Sequence, residues 1–234
     1  DKMISFDDEI ERLHYLVDNN FYFNVFEKYS EAELSEITEY AKSIHFQFAS
    51  YMSASKFYKD YALKTNDKTK FLEDYNQHVA IVALYLANGN VKQAKQFISA
   101  MVEQRYQPAT PTFLNAGRAR RGELVSCFLL EVDDSLNSIN FIDSTAKQLS
   151  KIGGGVAINL SKLRARGEAI KGIKGVAKGV LPVAKALEGG FSYADQLGQR
   201  PGAGAVYLNI FHYDVEEFLD TKKVNADEDL RLST

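Results

Sequence analysis

The chain has 234 residues, of which 45% are hydrophobic and 25% are charged, so it can bury a sizeable core and is neither disordered nor fibrous. A formal net charge of −3 argues against sequence-independent binding of nucleic acid, which requires a basic excess. The longest apolar runs, such as residues 81–87, are too short to cross a bilayer. We therefore expect neither nucleic acid nor a membrane among the partners.

Cysteine and histidine usage limits the chemistry further. The single cysteine, Cys127, cannot form a disulfide within the chain, and no leader of a secretory type is visible, so a cytoplasmic location is expected. The four histidines, His14, His45, His78 and His212, show no metal-ligand spacing with Cys127. No metal site is predicted.

The first part of the chain has the pattern of a helical lobe. Only Gly89 of the 15 glycines precedes residue 106, and helices tolerate such a glycine-poor composition. Residues 30–44 begin with Ser30 and Glu33 at capping-box spacing and carry an apolar stripe. Further helical patterns occupy 53–64, 70–87 and the residues from 91 onward. We predict a helical lobe over residues 1–105 and a second domain over 106–234.

The second part has short apolar segments typical of strands. Residues 124–132 and 155–161 are predicted strands covered on both faces, with a helix between them, and a helix over about 180–197 leads to a third strand at 205–211. This order predicts a βαβαβ unit with a parallel sheet. Ligands of such sheets bind beyond the carboxyl ends of the strands, which here lie at Asp133–Asp134, after Leu160 and after Phe211.

Several residues near these strand ends have two interpretations. Cys127, inside an apolar strand, is most often a small buried hydrophobe in such a setting. Asp134 and Ser135 can each cap the following helix, or Asp134 can accept a hydrogen bond from a ribose hydroxyl. Gly153–Gly155 suggest that the backbone comes close to another segment or to a ligand, although they do not form a dinucleotide fingerprint.

Two loops carry groups that could hold phosphates. The loop 162–174 contains the basic residues Lys162, Arg164, Arg166, Lys171 and Lys174, for which a solvated surface and a polyphosphate site are equally open interpretations. The glycine-rich loop 195–205 offers Gln196 and Arg200, which suit a base edge or a phosphate, although composition alone indicates only flexibility.

Five motifs, in this order, resemble one family: PATPTFLNAG, ELVSCFLLEVDDSLNSI, GGGVAINLSKLRARG, ADQLGQRPGAGAVYLNIFH and FLDTKK. The family is the large, catalytic subunit of aerobic ribonucleotide reductase, and the class Ib form is the most similar. The resemblance implies an α/β fold with an N-terminal helical lobe followed by the first βαβαβ part of a ten-stranded α/β barrel, which is incomplete in this chain. The resemblance further implies that this chain is the N-terminal part of a ribonucleoside-diphosphate reductase and that it is inactive without the C-terminal part of that enzyme.

The resemblance also implies roles for individual residues. Cys127 matches the first member of the redox cysteine pair that reduces the ribonucleotide at C2′, so its thiol is expected inside a dry site. The positions that match substrate-holding elements are Thr112, Ser126, Gly154 and Gly155. The positions that match a specificity site for a deoxynucleoside triphosphate are Asp134, Ser135, Leu136, Ile139, Arg164 and Lys171, with Gln196 and Arg200 in the loop that relays effector identity.

The partners implied by the resemblance are a ribonucleoside diphosphate as substrate, a dNTP or ATP effector, and a small subunit that supplies a metal-generated radical. The remainder of the large subunit, a thioredoxin- or glutaredoxin-like reductant and a second copy in a homodimer complete the set, and no cofactor is bound directly. A nucleotide-binding regulatory module without catalytic activity is the alternative, and a glycyl-radical relative with the same barrel architecture is disfavoured.

Overall fold

The structure is a computed structural model that describes residues 2–120, 122–193, 204–224 and 232–234. The chain divides into two compact units, residues 1–124 and residues 125–234. In the described residues, no helix combines the length and the apolar character needed to cross a membrane.

The first unit is helical, as predicted. Its α-helices are α1 (Glu9–Asp18), α2 (Glu31–Ser43), α3 (Tyr51–Asp60), α4 (Tyr75–Ala87), α5 (Val91–Val102) and α6 (Thr110–Asn115), with a 3-10 helix at Val25–Glu27. Helix α4 is buried on most sides and packs against α2, α5 and α6. The capping box of Ser30 and Glu33 is confirmed at the start of α2. Helices α1 and α6 were not predicted.

The helical unit extends further than composition indicated. The boundary lies after Leu124, not after residue 105, because the intervening segment packs on the helices. Phe113 of α6 is buried in the helical core, the Thr112 hydroxyl donates to the Leu124 carbonyl at 3.0 Å, and the Asn115 amide donates to the Glu123 carbonyl at 3.0 Å. The segment therefore belongs to the helical unit, with Pro111 in the first turn of α6 and Gly117 in a left-handed conformation with a φ of +83°.

A buried charged cluster lies at the centre of the helical unit. The fully buried Glu73 carboxylate accepts hydrogen bonds from Tyr22, from Arg118 at 2.6 Å and from the Leu63 N–H at 2.8 Å, and it also contacts His78 Nδ1 at 2.6 Å. Burial by itself raises the pKa of this carboxyl, but Arg118 and His78 outweigh that effect and hold the pKa of Glu73 far below its usual range. Burial likewise raises the pKa of Tyr22. The Glu73 carboxylate is thus well supplied with donors, although the Arg118 Nη1 atom of the same cluster is buried without a hydrogen-bond partner among the residues that the structure describes.

The second unit contains the predicted βαβαβ arrangement. Its elements are β1 (Cys127–Glu131), α7 (Leu136–Lys151), β2 (Gly155–Asn159), α8 (Val180–Tyr193), β3 (Gly204–Tyr207) and α9 (Val215–Asp220). The strands are parallel in the order β1-β2-β3, with Cys127 opposite Gly155 and Asn159 opposite Tyr207. Near the end of the chain, Ser233 forms a parallel bridge to Ala205 beside β3.

The third strand is shorter than predicted. It ends at Tyr207 because the following residues turn away: the Asn209 N–H donates to the Ser161 hydroxyl at 2.8 Å, and the Phe211 N–H donates to the Asn209 side chain at 2.9 Å. Phe211 is consequently 90% exposed. Helix α8 is described to Tyr193, and the predicted end of that helix at residue 197 lies outside the described residues.

The expectation that both sheet faces are covered was wrong for one face. Side chains alternate along each strand, and those of Phe128, Leu130, Val156, Ile158 and Val206 point to the covered face, where they pack with α7 and α8. The other face, here called the open face, presents Cys127, Leu129, Glu131, Ala157, Asn159 and Tyr207. Leu129 is 80% exposed there, because both crossover helices lie on the opposite side.

Candidate functional site

Cys127 lies on the open face and is exposed. The expectation that its thiol is buried was wrong for this chain, because the strand that carries it has only one covered face. The Ser126 hydroxyl lies 3.9 Å from the Cys127 sulfur, and the Ser126 carbonyl accepts the Gly155 N–H at 2.6 Å. The strand pairing therefore brings the predicted catalytic residue, Cys127, next to two of the predicted substrate-binding residues, Ser126 and Gly155.

The three consecutive glycines have separate reasons for their positions. Gly153 has a φ of +99°, a left-handed conformation that favours glycine after a helix. Gly154 is buried, and a Cβ added there would lie 2.3 Å from the Phe128 ring and 3.0 Å from the Leu149 carbonyl oxygen. The close approach that the sequence predicted is therefore to another segment of the same unit, at Gly154, while Gly155 begins β2 opposite Cys127.

Thr112, the remaining predicted substrate residue, belongs to the helical unit. It lies in α6, which has no side-chain cap at its start and carries Pro111 in its first turn. Its hydroxyl is engaged with the Leu124 carbonyl.

Ser135 and Asp134 have different structural roles at the carboxyl end of β1. The Ser135 hydroxyl caps α7 by accepting the Ser138 N–H at 3.1 Å. Asp134 takes no part in the cap, and its carboxylate instead accepts the Arg164 Nε–H at 2.7 Å and the Arg164 backbone N–H at 3.3 Å. The cap and the acid at this strand end are therefore supplied by two adjacent residues.

Asp134 and Arg164 line a pocket of about 460 Å³ at the carboxyl ends of the strands, here called the rim pocket. Its other lining residues include Lys162, Phe211, His212 and Tyr213. Arg164 also donates from its guanidinium to the Ala169 carbonyl at 2.9 Å. A guanidinium, an ammonium and exposed aromatic rings around one opening provide the groups that phosphates and flat bases bind.

A second concavity, of about 580 Å³, runs along the open face and shares Ser161 and Asn209 with the rim pocket. Lys162 stands at this junction and pairs with Glu131 at 3.0 Å and with Asp133 at 3.2 Å. Its hydrogen bond to Glu131, followed by that to Asp133, raises the pKa of Lys162. The carboxyl ends of β1 and β2 are thus joined by ion pairs.

Of the remaining predicted effector residues, the structure describes Leu136, Ile139 and Lys171. Leu136 is 71% exposed at the start of α7, and Ile139 packs partly against the core. Lys171 is exposed and has a φ of +50°, between Ile170 and Ile173, whose backbones pair. Gln196 and Arg200 lie outside the described residues.

Sequence reasoning missed Ser161, Asn209, His212 and Asp214. His212 Nε2 donates to the Leu163 carbonyl at 2.7 Å, and Asp214 is buried while it binds backbone N–H groups of the neighbouring loop. Each follows β2 or β3 by a few residues, so the rule that functional groups follow parallel strands could have indicated them. In the ranges that the structure describes, no group of His, Cys, Asp or Glu side chains is arranged to hold a metal ion.

Three sequence models of one family match consecutive parts of the chain. They are described as "Ribonucleotide reductase N-terminal" for residues 1–46, "Ribonucleotide reductase, all-alpha domain" for residues 47–121, and "Ribonucleotide reductase, barrel domain" for residues 125–234. The third match begins at the residue where the second structural unit begins.

Relatives with known names agree with these matches. The chain is 58% identical to the Bacillus subtilis ribonucleoside-diphosphate reductase subunit alpha over 96% of its own length, which is 32% of that relative. It is 49% identical to the Mycoplasma pneumoniae subunit alpha over 96% of its length and 31% of the relative, and 30% identical to the vaccinia virus large subunit over 89% and 26%. The chain therefore spans about a third or less of these relatives.

One solved structure supports the fold. The alpha subunit of the Actinobacillus ureae class Id ribonucleotide reductase superposes with a TM-score of 0.62 at 24% identity, covering 80% of this chain and 33% of the other. A helical region followed by a partial parallel sheet is common to both. Taken with the consecutive matches along its length, these findings establish that the chain belongs to the ribonucleotide reductase family and corresponds to an N-terminal portion of the large subunit.

Proposed function

We propose that this chain forms the N-terminal part of a ribonucleoside-diphosphate reductase that converts ribonucleotides to 2′-deoxyribonucleotides by radical chemistry. The observation that carries the proposal is the position of Cys127 on the open face, opposite Gly155 and beside Ser126. An exposed thiol next to a hydroxyl and a glycine backbone has the groups needed to approach a sugar ring.

The chemistry defines what Cys127 contributes. Replacement of the 2′-hydroxyl by hydrogen consumes two electrons, and two thiols that become one disulfide can supply them. The Cys127 thiol is also able to donate a proton to the departing hydroxyl. Because the chain has one cysteine, the second thiol must come from the remainder of the large subunit, which would also cover the open face and exclude water.

Other components of the reaction also come from outside the chain. We propose that a small subunit supplies the metal-generated radical, that a thioredoxin- or glutaredoxin-like protein reduces the disulfide, and that the large subunit is a homodimer. Thr112, Ser126, Gly154 and Gly155 are proposed to hold the ribonucleoside diphosphate.

We further propose that the rim pocket binds a deoxynucleoside triphosphate or ATP as an allosteric effector. Asp134 has acceptor capacity for a ribose hydroxyl beyond its two bonds to Arg164, and Arg164 supplies positive charge for phosphates. Lys171, which is exposed on the same loop and is not among the lining residues, is proposed to supply a second positive charge. Ser135, Leu136 and Ile139 lie along the adjacent helix start, and Gln196 and Arg200 are proposed to relay effector identity to the substrate base. If a nucleotide in the rim pocket changes the affinity of the substrate site for its ligand, the substrate must change the affinity of the rim pocket for the nucleotide by the same factor.

Equilibrium binding tests the effector site. The chain should bind at least one of the four common dNTPs, and Asp134→Ala should weaken that binding about tenfold, a loss typical of a charge-assisted hydrogen bond. Asp220→Asn, which removes an exposed carboxylate on α9, should leave it unchanged. Identical titration curves for wild type and Asp134→Ala contradict the assignment.

Turnover tests the thiol. In a large subunit that contains this sequence, Cys127→Ser should abolish multiple turnover with external reductant while it leaves dNTP affinity within about twofold of wild type, since the thiol and the rim pocket lie at different ends of β1. Sustained turnover by that variant would show that Cys127 is an inert residue. A chain that binds dNTPs but supports no reduction in any assembly would instead favour a regulatory module.

A further inference from the structure

The loop between β2 and α8, residues 161–179, is here called the basic loop. Two residues that follow β3, His212 and Asp214, form hydrogen bonds with its backbone. His212 Nδ1 accepts the Asp214 N–H at 3.0 Å, so the ring's hydrogen is on Nε2, which donates to the Leu163 carbonyl at 2.7 Å. The Asp214 carboxylate accepts the Arg166 N–H at 3.0 Å and the Val180 N–H at 3.1 Å. Both ends of the loop are therefore fixed to one short segment.

Asp214 is well suited to this role because it is only 6% exposed and its carboxylate contacts the N–H of Val180, the first residue of α8. A buried carboxylate requires hydrogen-bond donors, and the positive end of a 14-residue helix together with two backbone N–H groups provides them. Gly179 allows the close approach: its φ is +81°, and a Cβ there would lie 2.5 Å from Asp214 Oδ2 and 3.0 Å from the Arg166 nitrogen.

The fixed loop base determines where Arg164 stands. Arg164 lies between Leu163, whose carbonyl is bound by His212, and Arg166, whose N–H is bound by Asp214. One anchor lies one residue before Arg164 and the other lies two residues after it, and the Arg164 N–H itself donates to Asp134 at 3.3 Å, so the backbone is held on both sides and at Arg164. Its guanidinium reaches Asp134 at 2.7 Å in the rim pocket as a result.

Asp214 does not line the rim pocket, so it would act through the loop and not on the ligand. We propose that Asp214 is a positioning residue of the effector site: by clamping the base of the basic loop, it presents Arg164 preformed to the phosphates of a nucleotide. This inference rests on the proposed effector site. A preformed loop avoids the entropy cost of ordering cationic side chains when the ligand binds.

Loss of the Asp214 contacts should affect only ligands that carry phosphates. Loss of the clamp should weaken binding of the triphosphate, because Arg164 is displaced, and should leave binding of the bare deoxynucleoside nearly unchanged. The ratio of the deoxynucleoside Kd to the dNTP Kd measures this difference, whereas a general loss of structure weakens both ligands. A fall in this ratio therefore indicates that Asp214 positions Arg164, whereas an unchanged ratio with weaker binding of both ligands indicates a merely structural role for Asp214.

The experiment compares each of the four common dNTPs with its own deoxynucleoside by equilibrium titration of the full chain. Asp214→Asn keeps the shape of the side chain but removes its charge and one acceptor, and should raise the dNTP Kd about tenfold with less than about a twofold change for the deoxynucleoside. Asp220→Asn, the same change at an exposed site of α9, should alter neither value. A folded Asp214→Asn protein with the wild-type ratio overturns the inference.

A second variant applies if Asp214→Asn does not fold. Asp214→Glu retains the negative charge at the start of α8 but adds a methylene where Gly179 leaves no room, so the loop base should shift and the ratio should fall. A folded Glu variant with the wild-type ratio also overturns the inference. If Asp134→Ala weakens dNTP binding while both Asp214 variants leave the ratio unchanged, only the clamp is refuted; if wild type binds no dNTP, the proposed effector site itself fails.

Discussion

A charged cluster of the helical unit and two ion pairs of the sheet unit lie in opposite environments. In the helical unit, Glu73 is fully buried and is bound by Tyr22, His78 and Arg118, whose side chains are also buried. In the sheet unit, ion pairs such as those of Lys162 and Arg164 lie at the exposed ends of the strands.

The difference in burial predicts different roles for the two groups of charges, one in stability and one in ligand binding. Charges that are satisfied inside a core hold one arrangement in place, and such clusters are costly to break. Partly exposed charges around a pocket contribute little to stability and can exchange partners with a ligand. We therefore expect the buried cluster to act as a scaffold within the helical unit, and the exposed ion pairs of the sheet unit to be available to a ligand.

Removal of the Glu73 charge should give the largest effect. We expect Glu73→Gln to lower the free energy of unfolding of the helical unit by about 3–5 kcal/mol, because Arg118 would remain buried without its counter-ion and His78 would lose its carboxylate partner. Urea unfolding followed by far-UV circular dichroism measures this change. Glu36→Gln, which removes an exposed partner of Lys95, is the matched control and should have little effect. Equal losses in both variants would contradict the scaffold role of the cluster.

The same carboxylate should make the helical unit sensitive to acid. Because the folded pKa of Glu73 is depressed, its stabilisation is fully present above the unfolded pKa of about 4.3 and is lost as the pH falls below that value toward the folded pKa. Stability measured across the acid range should decline less steeply in Glu73→Gln than in wild type. Parallel declines in the two proteins would show that other carboxyl groups dominate acid unfolding.

The glycine turn should give an intermediate effect. Gly154→Ala places a methyl group against the Phe128 ring and the Leu149 carbonyl, so we expect a loss of about 1–3 kcal/mol in the sheet unit. Gly189→Ala in α8 has open space around its Cβ and should stabilise the unit by about 0.4–1 kcal/mol. Thermal unfolding of the two variants checks the opposite signs. A stabilised Gly154→Ala protein would mean that β1 and the turn are not packed as described.

The smallest effect on stability is expected at the rim pocket. Asp134→Ala should change the free energy of unfolding by at most about 1 kcal/mol, because the carboxylate and Arg164 are each about one-third exposed and solvent screens the pair. The same variant should show the large loss of dNTP binding described above. A destabilisation as large as that of Glu73→Gln would assign Asp134 to the scaffold and remove the distinction between the two units.

Much of the fold could be predicted because local patterns determine it. The capping box of Ser30, the apolar stripe of α2 and the β-rich segments around Cys127 and Val156 each encode an element without reference to distant residues. The candidate site followed in part from the rule that groups after parallel strands share one edge, which correctly brought Asp134 and Arg164 together.

The sequence by itself determined most of the helices and strands, the parallel βαβαβ arrangement, and part of the group of residues at the strand ends, although it did not reveal α1 or α6. Only the tertiary structure decided that Cys127 is exposed, that Ser135 and not Asp134 caps α7, and that Asp214 holds the basic loop. The physical reason is sequence distance: periodicity and capping act over a few residues, whereas the burial of a side chain and the partner of a carboxylate depend on distant segments, as for Arg166 and Asp214, which are 48 positions apart.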